Sequence, residues 1–103
     1  MQIAAASTEY VKVPLVAVVN GVIIDPTSDV VKMAFPLRGV APVAGDWKTG
    51  SWETLGTQRY ARCLVGPSGG TVTLAAGVLY DAWLQVFDSP ETVTRLVGQV
   101  TAY

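Results

Sequence analysis

The chain has no histidine, one cysteine and few charges, with 7 basic and 8 acidic residues among 103. Without histidine, a serine triad, a Cys–His pair and most zinc sites cannot be assembled. A lone Cys63 excludes an intrachain disulfide, so the core has to hold without one. Cys63 sits in the apolar run Ala61-Arg62-Cys63-Leu64-Val65, which reads as a buried, inert thiol. Charged residues make up 15%, against about 25% in an ordinary soluble domain. The basic residues Lys12, Lys32, Arg38, Lys48, Arg59, Arg62 and Arg95 are scattered and the net charge is −1, so the field that gathers phosphates is missing. Nucleic acid is therefore not an expected partner. No run approaches the ~18 apolar residues that cross a bilayer, and no membrane role is expected. The first residues, MQIAAASTEY, lack the basic n-region of a signal peptide, which points to synthesis in the cytoplasm.

Other chemistry is thinly provided for. GPSGG at 66–70 has neither the lysine of a phosphate loop nor a helix signal after it. Asp25 and Asp29 are two acids where calcium needs about six to eight oxygens. Asp81, Asp88 and Glu91 lie in turn-rich sequence, where acids cap and solvate rather than form a glycosidase pair. The expectation is a protein that is not an enzyme, with no catalytic residues, no cofactor and no metal.

What the sequence does have is alternation. Half of it is hydrophobic. EYVKVPLVAVV places Val11, Val13, Leu15, Ala17 and Val19 on one face of a strand, with Pro14 on the other marking an edge or a bulge. Asn20-Gly21 is a hairpin signal returning into Val22-Ile23-Ile24. Asp25-Pro26-Thr27-Ser28-Asp29 is turn chemistry, followed by a strand with Val31, Met33, Phe35 and Leu37 inward and Lys32 outward. Residues 38–46 read as a non-helical Gly/Pro loop, and 47–52 as a short hairpin turning at Gly50. Gln58 to Val65 is a strand with Ala61, Cys63 and Val65 inward, and Val72 and Leu74 a short one after the GPSGG turn. Tyr80, Ala82, Leu84 and Val86 alternate against Asp81, Trp83 and Gln85. After Ser89-Pro90-Glu91, helical spacing of Val93, Leu96, Val97 and Val100 competes with a β-branched composition interrupted by Gly98, and the balance favours strand.

The segment around Leu74, Gly77 and Tyr80 reads as a strand end, a tight corner and a new strand opening on tyrosine. In immunoglobulin-like sandwiches such a tyrosine bonds back to upstream backbone. Together these features predict an all-β fold: a single immunoglobulin-like β-sandwich of about seven or eight short antiparallel strands. Residues 9–103 form the domain, and 1–8 are expected as a flexible N-terminal arm, with an added edge strand as the other role open to them. Low charge with near-zero net charge favours association, so part of the surface is expected to meet a partner. Trp47, Trp52 and Tyr60 are candidate contacts, as interface anchors, as core, or as a sugar-stacking platform.

The phrases STEYVKVPL, DPTSDVVKMAF, GDWKTGSWE, YARCLVGPSGG and DSPETVTRLVG resemble small proteins encoded among the virion structural genes of tailed actinobacterial phages. The resemblance runs from Ser7 to Val100. It implies an immunoglobulin-like virion component, a capsid decoration or head–tail accessory subunit. The partners it implies are the major capsid protein or head–tail proteins, with self-association open. It implies no activity. A host-glycan-binding module of tail or capsid is the alternative suggested by the aromatics at 47–60.

Overall fold

A computed structural model describes residues 1–15, 17–19, 22–24, 29–88 and 91–103. Its strands are β1 (Gln2–Ile3), β2 (Glu9–Leu15), β3 (Ala17–Val19), β4 (Val22–Ile24), β5 (Val30–Ala34), β6 (Lys48–Thr49), β7 (Ser51–Leu55), β8 (Gln58–Val65), β9 (Leu79–Asp88) and β10 (Glu91–Ala102). They form a first sheet in the order β1-β10-β9-β5-β6, a second in the order β2-β8-β7, and a β3-β4 pair. The protein is all-β, with one core between the first two sheets.

Alternation explains that core. Val31, Met33, Ala82, Leu84, Val100 and Ala102 from the first sheet meet Val11, Ala61, Cys63 and Val65 from the second, all buried. Side chains two apart share a face, so each strand offers its apolar set to one side only. Burial of each larger aliphatic side chain stabilises the fold by about 1.5–3 kcal/mol. Pro14 lies on β2, an edge strand, where its missing N–H costs no central ladder bond. The segment after Pro90 is strand: β10 pairs antiparallel with β9 from Glu91↔Asp88 to Thr101↔Leu79, shifting register between Leu96 and Gly98.

Several expectations are corrected. The sequence from Trp47 to Trp52 is not a hairpin: β6 pairs with β5 in one sheet, while β7 pairs with β8 in the other. Gly50 is where the chain crosses between sheets, its N–H donating to the Val31 carbonyl (2.9 Å). A Cβ there would stand 2.7 Å from the Arg62 carbonyl, so the crossing requires glycine. The hairpin is β7–β8 instead, with Leu55 opposite Gln58 and Gly56 at φ +62° supplying the positive φ such a turn needs. Leu37 is exposed rather than inward, because β5 ends at Ala34 and only an isolated bridge joins Leu37 to Tyr80. The loop at 38–46 closes on a 3-10 turn, Ala44–Asp46, whose Asp46 carboxylate accepts the Val43 N–H (2.9 Å). Val72 and Leu74 form no strand. The glycine-rich turn instead folds Thr71 and Val72 onto the end of β8, Thr71 N–H donating to the Leu64 carbonyl and Gly66 N–H to that of Val72.

Of residues 1–8, expected as a flexible arm or an added edge strand, Gln2–Ile3 form an added edge. β1 runs parallel to β10, pairing Gln2 with Thr101 and Ile3 with Ala102, and Ile3 is buried. The Asn20-Gly21 turn, the turn residues Asp25–Ser28 and Ser89-Pro90 lie outside the described residues.

Candidate interaction surfaces

The corner is held from both sides. Gly77, at φ +79°, donates its N–H to the Ala102 carbonyl (2.8 Å), and Leu74 is buried in the core. Tyr80, packed against that core, accepts the Ala75 N–H on its hydroxyl at 2.8 Å. The tyrosine thus ties the start of β9 to the segment that feeds it. Tyr80→Phe is expected to lower stability by about 0.5–1 kcal/mol in urea denaturation, because water can reach the freed N–H. An unchanged midpoint would remove that hydrogen bond from the account.

Three candidate contact residues do not form one surface. Trp52 pairs with Ala61, which is fully buried, and so lies on the inner face of the second sheet. Its indole Nε1 donates to the Asp29 carbonyl (2.9 Å) and its ring packs on the core. Tyr60, the next position on β8, lies on the opposite face, between Pro14 and Glu53 in register. Trp47 is half-buried in the segment between the 3-10 turn and β6. A flat platform of all three rings is ruled out by the pleat.

The two outer faces differ in chemistry. On the second sheet, Lys12 Nζ is 2.7 Å from Glu53 Oε2, and Arg62 approaches the same oxygen at 3.8 Å. Arg62 also stacks over the Tyr10 ring at 4.2 Å and donates from Nε to Ser51 Oγ at 3.0 Å. The hydrogen bond from Lys12, with the charges of Lys12 and Arg62, holds the Glu53 carboxyl below its usual range against a smaller desolvation effect. This face is a solvated ionic network. Such partly exposed pairs add little stability, but they leave this face charged.

The outer face of the first sheet is less polar. Val30, Phe87, Trp83 and Leu96 share it: Val30 pairs with Phe87, and Trp83 with Leu96. Val30 and Leu96 are more than half exposed, at 55% and 53%. Lys32 Nζ stands 5.4 Å over the Phe87 ring. Trp83 is half-buried, and its indole Nε1 has no hydrogen-bond partner among the described residues. Beside it, Asp81 is buried and straps down the loop that begins at Arg38, accepting the Gly39 N–H at 2.9 Å with Arg38 Nε at 3.9 Å. Sequence reasoning did not select Trp83 and Phe87. The signal was present, since an aromatic on the polar side of an alternating strand has no core to enter.

Cys63 is buried, its Sγ 3.1 Å from Thr71 Oγ1. Burial raises its pKa, with the Thr71 hydrogen bond partly opposing. A thiol whose folded pKa is raised adds stability that is present below its unfolded value and is lost as pH rises through the folded one. Denaturation midpoints are therefore expected to fall above about pH 8.5, and Cys63→Ser should flatten that slope. Among the described residues no group of three or more potential ligands could hold a metal ion, and Asp25 lies outside them. No helix among them is long and apolar enough to cross a membrane.

No family model matches this chain, and neither a curated protein nor a solved structure matches it.

Proposed function

We propose that this chain is a non-enzymatic structural protein of a tailed-phage virion. In this reading it is an immunoglobulin-like sandwich that docks on the capsid or neck as a decoration or head–tail accessory subunit. It is made in the host bacterial cytoplasm and carried in the particle. Its partners are the major capsid protein or head–tail proteins.

The observation that carries this reading is the contrast between the two outer faces. One is an ionic network around Glu53, and the other exposes Val30 and Leu96 beside Trp83 and Phe87. A subunit with one ionic side, and one that exposes aliphatic and aromatic groups on either side of Lys32, Gln85 and Thr94, suits attachment to a larger surface. Many weakly held copies on a symmetric lattice then reinforce one another. The resemblance of the five sequence phrases to virion components points the same way.

The immunoglobulin-like part of the reading rests on strand order. The sheet β2-β8-β7 has the succession of strands B, E and D, and β10-β9-β5-β6 that of G, F, C and C′. Tyr80 then stands at the start of strand F. Two residues on, where antibody domains carry a disulfide cysteine, is the buried Ala82. The inward Trp52 and outward Tyr60 remove the shared platform that a glycan-binding module would use.

Peptide mass spectrometry of purified particles, followed by a cryo-electron microscopy map, tests the proposal. The expected result is density for this sandwich at icosahedral or cyclic symmetry, with the Trp83–Phe87 face toward the particle. Absence of the polypeptide from intact particles would overturn it.

A further inference from the structure

β10 spans Glu91–Ala102, but β1 covers only its end, at Thr101 and Ala102, while the Met1 ammonium reaches the Gln99 carbonyl (3.0 Å). Among the described residues no strand lies along the other side of Glu91–Gly98. Thr92 to Leu96 are all exposed, including Val93 and Leu96. An open edge of this kind is a template for another strand unless lysine, proline or a bulge blocks it. Here the bulge stands between Leu96 and Gly98, which leaves the run before it in unbroken register with β9.

That run reads Glu91-Thr92-Val93-Thr94-Arg95. It is the same in residue class from either end, except that its ends carry opposite charges. We propose that two copies of this chain associate by antiparallel pairing of their β10 edges about a two-fold axis at Val93. Val93 then meets its own copy, Thr92 meets Thr94, and Glu91 stands opposite Arg95 at both ends. Cross-strand valine, threonine and opposite-charge pairs each favour such a ladder. Other registers lose this match. An axis at Arg95 sets arginine on arginine, one at Glu91 sets glutamate on glutamate, and a parallel ladder in register stacks like on like. A two-fold interface requires the same patch to complement itself, and this stretch does so in one register. The product is a continuous ribbon, β9-β10-β10-β9, across both copies. The bulge limits its length, so the interface falls short of the ~1,200–2,000 Å² of stable complexes and the dimer is weak. The inference concerns the chain itself and stands whether or not the virion reading does.

Sedimentation equilibrium of the full chain from about 10 µM to about 1 mM spans the affinity expected of so small an interface. The expected result is a concentration-dependent monomer–dimer equilibrium. Arg95→Glu weakens it about tenfold, Glu91→Arg does the same, and the double exchange restores it. Near-ultraviolet circular dichroism checks that each variant keeps its fold, and the two single variants reach the same end by independent changes. A monomer throughout the range overturns the proposal. So does a dimer indifferent to either reversal, or one that the double exchange fails to restore.

Discussion

Gly66→Ala is expected to lower stability by about 3–4 kcal/mol, combining backbone strain with overpacking. Gly66 follows β8 at φ +131°, a conformation side chains rarely adopt. A Cβ on it would stand 2.3 Å from the Ser7 carbonyl and 2.5 Å from Thr8 Cα, both backbone atoms. These atoms cannot swing aside as a side chain would. They belong to the stretch that carries the chain from β1 in the first sheet to β2 in the second. Thr8 Oγ1 also accepts the Ser68 N–H (3.0 Å), so this crossing is fastened directly to the glycine turn. Forcing it away would loosen β1 and uncover the end of β10. Gly69→Ala is the matched control: its φ is +86°, yet nothing lies within 4 Å of the added carbon. It carries strain without collision and should cost about 1 kcal/mol. Thermal and urea unfolding of the pair measure the difference. Equal midpoints for the two variants would refute the close packing of residues 7 and 8 on the turn.

Strand content was legible wherever a strand shows one face to the core. Val11, Ala61, Cys63, Val65, Ala82 and Leu84 were placed inward by alternation alone, and all are buried. Sheet membership was not legible. Period two says which side chains share a face, but not which sheet a strand joins. That is why residues 47–52 read as a hairpin when the two sides of Gly50 belong to opposite sheets. The deciding fact is the approach of the Arg62 carbonyl to Gly50, a contact between residues distant in sequence. The fate of the first residues was hidden for a similar reason. Gln2 and Ile3 are too few for a periodic signal, and their partners are the last residues of the chain. The aromatic positions failed in a different way. Trp47, Trp52 and Tyr60 were grouped by proximity in sequence, although Trp52 and Tyr60 face opposite sides of one sheet. The aromatics on the less polar outer face, Trp83 and Phe87, stand at the outward positions of the alternation along β9.

Trp52→Ala is expected to cost about 3 kcal/mol, within the range for emptying a large aromatic from a packed site and reduced because the ring is only half-buried. Its indole does two things. The ring covers the core between β7 and the first sheet, and Nε1 donates to the Asp29 carbonyl at the entry to β5 (2.9 Å). Trp52→Phe keeps most of the ring and removes the donor, so its loss of about 1 kcal/mol isolates the hydrogen bond. Tyr60→Ala supplies the contrast. On the outer face of the same sheet, the tyrosine covers no core, and its removal should cost well under about 1 kcal/mol. These three unfolding measurements decide which of the two aromatics is structural. A contact residue would behave the other way: Trp52→Ala would leave the unfolding midpoint unmoved. That result would place the indole on the surface and overturn the face assignment of β7. The contrast between Trp52→Ala and Tyr60→Ala follows from the pleat, since adjacent register positions on β7 and β8 point to opposite sides, and the place of Trp52→Phe between them follows from the lost donor.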